Sequence, residues 1–340
     1  MRLFGLFALS SLLALASLPA MAQLLPPALK PVEELKIPEV SKEDQLNPDQ
    51  PQFLSLAGNA LFGLKDKDGE IAKKRKEVEE NATDPNQWIQ LGLLEDSYMR
   101  HRDAIKTYSE GLAKFPNDWR FLRYRGQRHI SGRQFREAIE DLEAARQKTK
   151  KSYEVAYYLG IAYYFSGEFA KAAAEFGRCE AQMAEPVAAD EMLYDLPTCE
   201  GARESYAYRV ALSYWKYLAL KRGGEDKAAK AYAESISPLW TLTANKAFYD
   251  VLLYFRGTKE LAEMMVGANE ATRDYLTRSS AVAAFDFAEG ERQKACAIWQ
   301  RNAMDPKWNH LGVIAAEVEY YSLSKAACAL YGLGDAKPAN

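Results

Sequence analysis

Residues 85–118 read PNQWIQLGLLEDSYMRHRDAIKTYSEGLAKFPND, residues 119–152 WRFLRYRGQRHISGRQFREAIEDLEAARQKTKKS, and residues 153–186 YEVAYYLGIAYYFSGEFAKAAAEFGRCEAQMAEP. Laid one under another at a spacing of 34, they place Trp88, Leu122 and Ala156 in one column and Leu91, Arg125 and Leu159 in a second. Gly92, Gly126 and Gly160 share a third. Ala104, Ala138 and Ala172 follow, then the large Tyr108, Leu142 and Phe176, then the small Gly111, Ala145 and Cys179. These are positions 4, 7, 8, 20, 24 and 27 of a 34-residue unit, which Pro116 closes at position 32 of the first copy. Large residues alternating with small ones are what two packed helices require where they cross too closely for a side chain.

Outward from this stretch the period weakens without vanishing. After an insertion at 187–208, Leu212, Trp215, Gly223, Ala228 and Tyr232 take positions 4, 7, 15, 20 and 24 of a fourth unit, with Lys216 in the small column. Tyr249, Gly257 and Ala262 mark a fifth, with Asp250 at its small position, and Val282, Ala283, Gly290, Ala295 and Trp299 a sixth. Residues 209–310 therefore read as divergent units, and Leu311 to Leu330 as an amphipathic helix that caps the stack. Composition agrees: 52 alanines against 21 Val plus Ile favour helix, since alanine loses least on entering a helix and β-branched side chains prefer strands. The expected fold class is all-α.

The columns of residues 85–186 resemble the tetratricopeptide repeat (TPR) family, clearly over those three units and more weakly over 209–310. The resemblance implies a right-handed α-solenoid of helix pairs whose first helices line a concave face, and a role in binding peptides or assembling protein complexes. In that family the face is built from positions 2, 5, 6, 9, 12 and 13. Here the second unit supplies Arg120, Arg123, Tyr124, Gln127, Ile130 and Ser131, and the third Glu154, Tyr157, Tyr158, Ile161, Tyr164 and Phe165. Position 6 stays aromatic as Tyr124, Tyr158, Tyr214 and Phe248, with Tyr217 and Tyr254 nearby at positions 9 and 12. Exposed aromatic rings offer area with a polar handle, as partner-binding surfaces do. The candidate groove is therefore Arg120, Arg123, Tyr124, Gln127, Tyr157, Tyr158, Ile161, Tyr164, Tyr214, Tyr217 and Phe248. The Lys and Asn residues with which some family members clamp a C-terminal carboxylate are absent from the matching positions.

The N-terminal end points to a compartment. Met1 and Arg2 precede a run of Leu, Phe and Ala from Leu3 to Leu18 and the small-residue site Ala20-Met21-Ala22, the pattern of a secretory signal peptide over 1–22. The expected mature chain begins at Gln23 and is exported, to the periplasm. No later segment holds 18 apolar residues, so no membrane span is expected after cleavage. Pro26, Pro27, Pro31, Pro38, Pro48 and Pro51 make 23–68 a Pro-rich extended arm. Within it Phe53 to Leu64 reads as a short helix docking on the body. Glu70 to Glu80, with Ile71 and Val78 on one side, reads as a charged helix opening the 69–186 region. Disulfides persist in oxidising compartments. Neighbours in sequence suggest Cys179 with Cys199 and Cys296 with Cys328, although four cysteines allow three connectivities.

Little in the sequence points to catalysis. His101, His129 and His310 are scattered, lack acidic or cysteine neighbours at ligand spacing, and read as surface or loop residues, so no metal or other cofactor is expected. Glu204-Ser205 matches the acid-then-serine pair of some periplasmic wall-cleaving lyases, but the glycine-rich motif that accompanies it there is missing. Net charge is −3 with both signs interspersed, which gives no field for nucleic acid. The expected function is a non-catalytic envelope scaffold that holds a peptide or protein partner, in a secretion, appendage or outer-membrane assembly system. The alternatives are a carbohydrate-handling accessory of polysaccharide export, since Tyr-rich grooves with Arg also stack sugars, and a solenoid-bearing cell-wall enzyme.

Overall fold

The computed structural model describes residues 43–47, 50–184, 197–242, 244–268 and 272–331. The leader, the cleavage point after Ala22 and most of the Pro-rich stretch lie outside the described residues. Apart from one short hairpin, the described chain is all-helical, with consecutive helices packed in pairs. A leading helix α1 (Glu70–Glu80) is followed by α2 (Pro85–Ser97) with α3 (His101–Lys114), α4 (Trp119–Ser131) with α5 (Phe135–Lys148), and α6 (Tyr153–Phe165) with α7 (Phe169–Met183). Each pair falls within one 34-residue unit. A 3₁₀ turn at Gly201–Glu204 leads into α8 (Tyr206–Arg222) with α9 (Asp226–Ser235), then α10 (Lys246–Arg256) with α11 (Leu261–Met265), and α12 (Arg273–Ala288) with α13 (Arg292–Ala303). The single helix expected over Leu311–Leu330 is three pieces: α14 (Leu311–Val318), a π-helical turn at Glu319–Leu323, and α15 (Lys325–Ala329).

The sequence columns have a steric cause. A Cβ on Gly92, Gly126 or Gly160 would come within 3 Å of the side chain of Tyr108, Leu142 or Phe176, so position 8 is small because position 24 of the same pair fills its space. Gly111 likewise yields to the ring of Phe121 in the next pair. Arg125 stands in an otherwise apolar column because Asp141 takes its guanidinium at 2.6 and 2.8 Å. A further column lies just before each pair: Asp84, Asp118 and Ser152 accept from the backbone N–H groups of Asn86, Arg120 and Val155 as helix N-caps. The turn inside each pair needs a left-handed residue. Gly167 (φ 76°) and Gly290 (φ 96°) supply it without strain, whereas Arg133 adopts φ 62° at the corresponding place.

Arg133 is held there by the far end of the chain. Its guanidinium is buried against Glu317 and donates to the carbonyl of Trp308 at 2.9 Å. Arg222 pairs with Glu319 at 2.7 Å, and the Tyr164 hydroxyl donates to the same carboxylate at 3.2 Å. Residues 308–323 therefore meet the C-terminal ends of α4, α6 and α8, far from them in sequence. The stretch expected as a docking helix joins this contact as a hairpin, β1 (Phe53–Leu54) pairing antiparallel with β2 (Ala60–Leu61). Its Phe53 ring lies against Gly132, its Leu56 N–H donates to Glu317 at 3.1 Å, and Gln52 accepts from the Arg102 N–H at 2.9 Å. A run interrupted by Gly58-Asn59 is too short to hold helical turns, and Ser55 instead caps the bend by accepting from the Asn59 N–H at 3.0 Å.

The largest hydrophobic core of the described residues runs from Ile130 to Cys328, and smaller ones gather around Leu91 and Phe121 and around Trp119 and Val155. Cys179–Cys199 and Cys296–Cys328 are bonded, with Cα separations of 5.3 and 5.5 Å. The first fastens the segment ahead of α8 to α7, and the second ties α15 to α13. No helix among the described residues is long and apolar enough to cross a membrane.

Candidate functional site

The first helices of all six pairs converge on one cavity of about 290 Å³. Asp96 comes from α2, Gln127 and Arg128 from α4, Tyr158 from α6, Tyr214 and Trp215 from α8, Phe248 from α10, and Arg273 and Thr277 from α12. His101 and the stretch Asn309–Gly312 complete the wall. The space lies at the small end of the range for ligand sites, about 300–1,000 Å³.

One wall is aromatic. Tyr214 and Phe248 are 4.6 Å apart between ring centroids, and Trp215 meets Tyr214 edge-on. The hydroxyls of these tyrosines are used within the protein: Tyr214 donates to the Thr277 carbonyl at 3.0 Å, and Tyr158 accepts from Gln127 Nε2 at 2.8 Å. Ring surface therefore dominates this side.

The opposite wall is polar. Asp96 is shared between the Arg128 guanidinium and His101 Nδ1, the latter at 2.7 Å. Because Arg128 already neutralises that carboxylate, burial governs His101, and with the nearby Arg133 charge it lowers the pKa to about 3. The ring is therefore neutral, its proton on Nδ1 facing Asp96, and its buried Nε2 is an acceptor without a partner among the described residues. Burial also lowers the Arg128 pKa, to about 10, which leaves it charged at neutral pH. His310 caps α14: its Nδ1 accepts from the Gly312 N–H at 3.1 Å, so its proton must sit on Nε2. Burial and the neighbouring Arg273 lower the His310 pKa to about 4.

Of the groove residues expected from the sequence, Gln127, Tyr158, Tyr214 and Phe248 line this cavity, and the other seven lie elsewhere. Arg120 is bound to Asp118 and Asn86. Arg123 pairs with Glu154 at 2.6 Å and covers the rings of Tyr124 and Tyr158. Tyr124 stacks on Tyr108, and Tyr157 accepts from Trp215 Nε1 at 3.2 Å. Ile161, Tyr164 and Tyr217 are buried, contrary to the exposed groove face expected of them. The reason is the curvature that brings residues 308–323 onto Tyr164 and stacks Phe255 on Tyr217. His101 is likewise wholly buried rather than a surface residue. Glu204 is exposed on its 3₁₀ turn, in an ion pair with Arg203.

Asp96, His101, Arg273 and His310 were not among the expected site residues. The one local signal for any of them is the Trp308-Asn309-His310 sequence before the apolar run from Leu311, where a side-chain acceptor at the helix entrance is required. Among the described residues no group of His, Cys, Asp and Glu is arranged to hold a metal ion. The chain matches no protein-family model and no curated protein sequence.

Proposed function

We propose that the protein is an exported, non-catalytic binding protein built as a right-handed solenoid of TPR-type pairs. Its partner is a peptide segment of an envelope protein, held on the first-helix side, and it serves a secretion, appendage or outer-membrane assembly system. The observation that carries this reading is the convergence of all six first helices on one aromatic cavity. A stack that curves this far turns a repeated column, position 6, into a single wall, because Tyr158, Tyr214 and Phe248 come from successive units. Internal contacts already occupy much of the inner side, so the partner is engaged at the cavity rather than along an extended trough. Two disulfides fit an oxidising compartment.

The test is a photoreactive amino acid placed at Gln127 in the cavity, with Glu140 on the exposed side of α5 as control, in the oxidised full-length protein in cells. The reading expects one recurrent peptide cross-linked from Gln127 and not from Glu140. Equal labelling from both positions, or a glycan adduct in place of a peptide, would overturn it.

A further inference from the structure

We infer that the cavity selects an anion, specifically a carboxylate carried on an apolar, ring-sized body. This rests on the binding reading above and names the chemistry of the group that enters.

Among the described residues, two arginines and one carboxylate line the space. Arg128 and Asp96 satisfy each other. The positive charge left over is that of Arg273, which is exposed and whose guanidinium makes no ion pair or hydrogen bond among the described residues. Beside it stands His310, whose backbone-bonded Nδ1 leaves Nε2–H as a spare donor. Both histidines are neutral near pH 7, so neither changes this balance. A half-enclosed cavity with one uncompensated cation and one spare donor favours a negatively charged acceptor.

The body of the ligand follows from the other wall. On this wall a neutral sugar would find no free hydroxyl from Tyr158 or Tyr214, which are engaged internally and present mainly ring surface. A volume of about 290 Å³ holds on the order of ten non-hydrogen atoms.

Titration calorimetry on the oxidised full-length protein tests this with 3-phenylpropionate, its amide and glucose. The acid should bind once per chain and at least tenfold more tightly than the amide. Arg273→Gln should reduce acid binding to the level of the amide and leave the amide unchanged, while Phe248→Ala should weaken both. Because Arg273 is exposed, an unchanged melting temperature verifies that its variant folds. The blocked peptide acetyl-Gly-Phe-Asp-Gly-amide identifies the source: its tighter binding assigns the carboxylate to a partner chain, and tighter binding of the free acid assigns it to a small molecule. Equal affinity for acid and amide, preference for glucose, or indifference to Arg273→Gln would overturn the inference. If the Gln127 cross-link still forms in that case, the binding reading stands alone. If the acid binds and no cross-link forms, the reverse holds.

Discussion

Gly160 and Gly177 sit in neighbouring helices of one pair, and what faces each decides the effect of adding a methyl group. At Gly160 the new Cβ would strike the Phe176 ring, whereas at Gly177 the nearest atom is the mobile end of Lys216 at 3.6 Å. Gly160→Ala should therefore destabilise by about 1–3 kcal/mol through overpacking. Gly177→Ala should stabilise by about 0.5–1 kcal/mol through helix propensity. Urea unfolding of both variants checks the pair, and equal effects would contradict the steric account of the columns. The histidines make a second prediction. Both have pKa values lowered on folding, so the unfolded chain binds more protons below about pH 6.5 and stability falls as pH decreases from there toward about 4 for His310 and about 3 for His101. At pH 5 each contributes a loss of about 2 kcal/mol relative to pH 7.5. His310→Asn keeps a capping acceptor and removes the titration, so melting measured at both pH values should fall less than in the wild type.

Among the elements, the segment α14 through Glu319–Leu323 is fastened by buried ion pairs as well as by its core residues Val313, Ile314, Ala316 and Val318. Glu317 takes the buried Arg133 guanidinium and the Leu56 N–H, and Glu319 takes Arg222 and the Tyr164 hydroxyl. Truncation strands a buried charge, so Glu317→Ala should cost about 3–5 kcal/mol in chemical denaturation. Glu140→Ala, on the exposed side of α5, should cost less than about 0.5 kcal/mol. The two halves of the structure were unequally legible in sequence, and these elements show why. The pairs α2 to α7 were readable because one steric rule repeats every 34 residues. The N-cap column Asp84, Asp118 and Ser152 repeats at the same spacing and is legible in the same way. Arg133 to Glu317 spans 184 positions, and no local pattern announces it. The same limit governs the site: position 6 pointed to Tyr158, Tyr214 and Phe248, while Asp96, Arg273 and His310 belong to it only through curvature. That curvature also buries Tyr164 and Tyr217, whose columns alone suggested an open face.

Across the whole molecule, the disulfides and the curvature work together. Cys179–Cys199 and Cys296–Cys328 close segments of 20 and 32 residues, each contributing about 3 kcal/mol in the chain-entropy model. Reduction should lower the denaturation midpoint accordingly, and a Cys296→Ala/Cys328→Ala variant should reproduce the share of its own bridge. The bridge to Cys328 also keeps α15 on α13, next to the segment that meets α4, α6 and α8. On the proposed reading this segment closes the inner side and leaves binding to the cavity. Native-state amide exchange of residues 311–323 in the oxidised protein tests it most directly. Opening free energies for these amides should lie close to those of α6, because the two elements share buried partners. Exchange of 311–323 at nearly unprotected rates while α6 remains protected would contradict it.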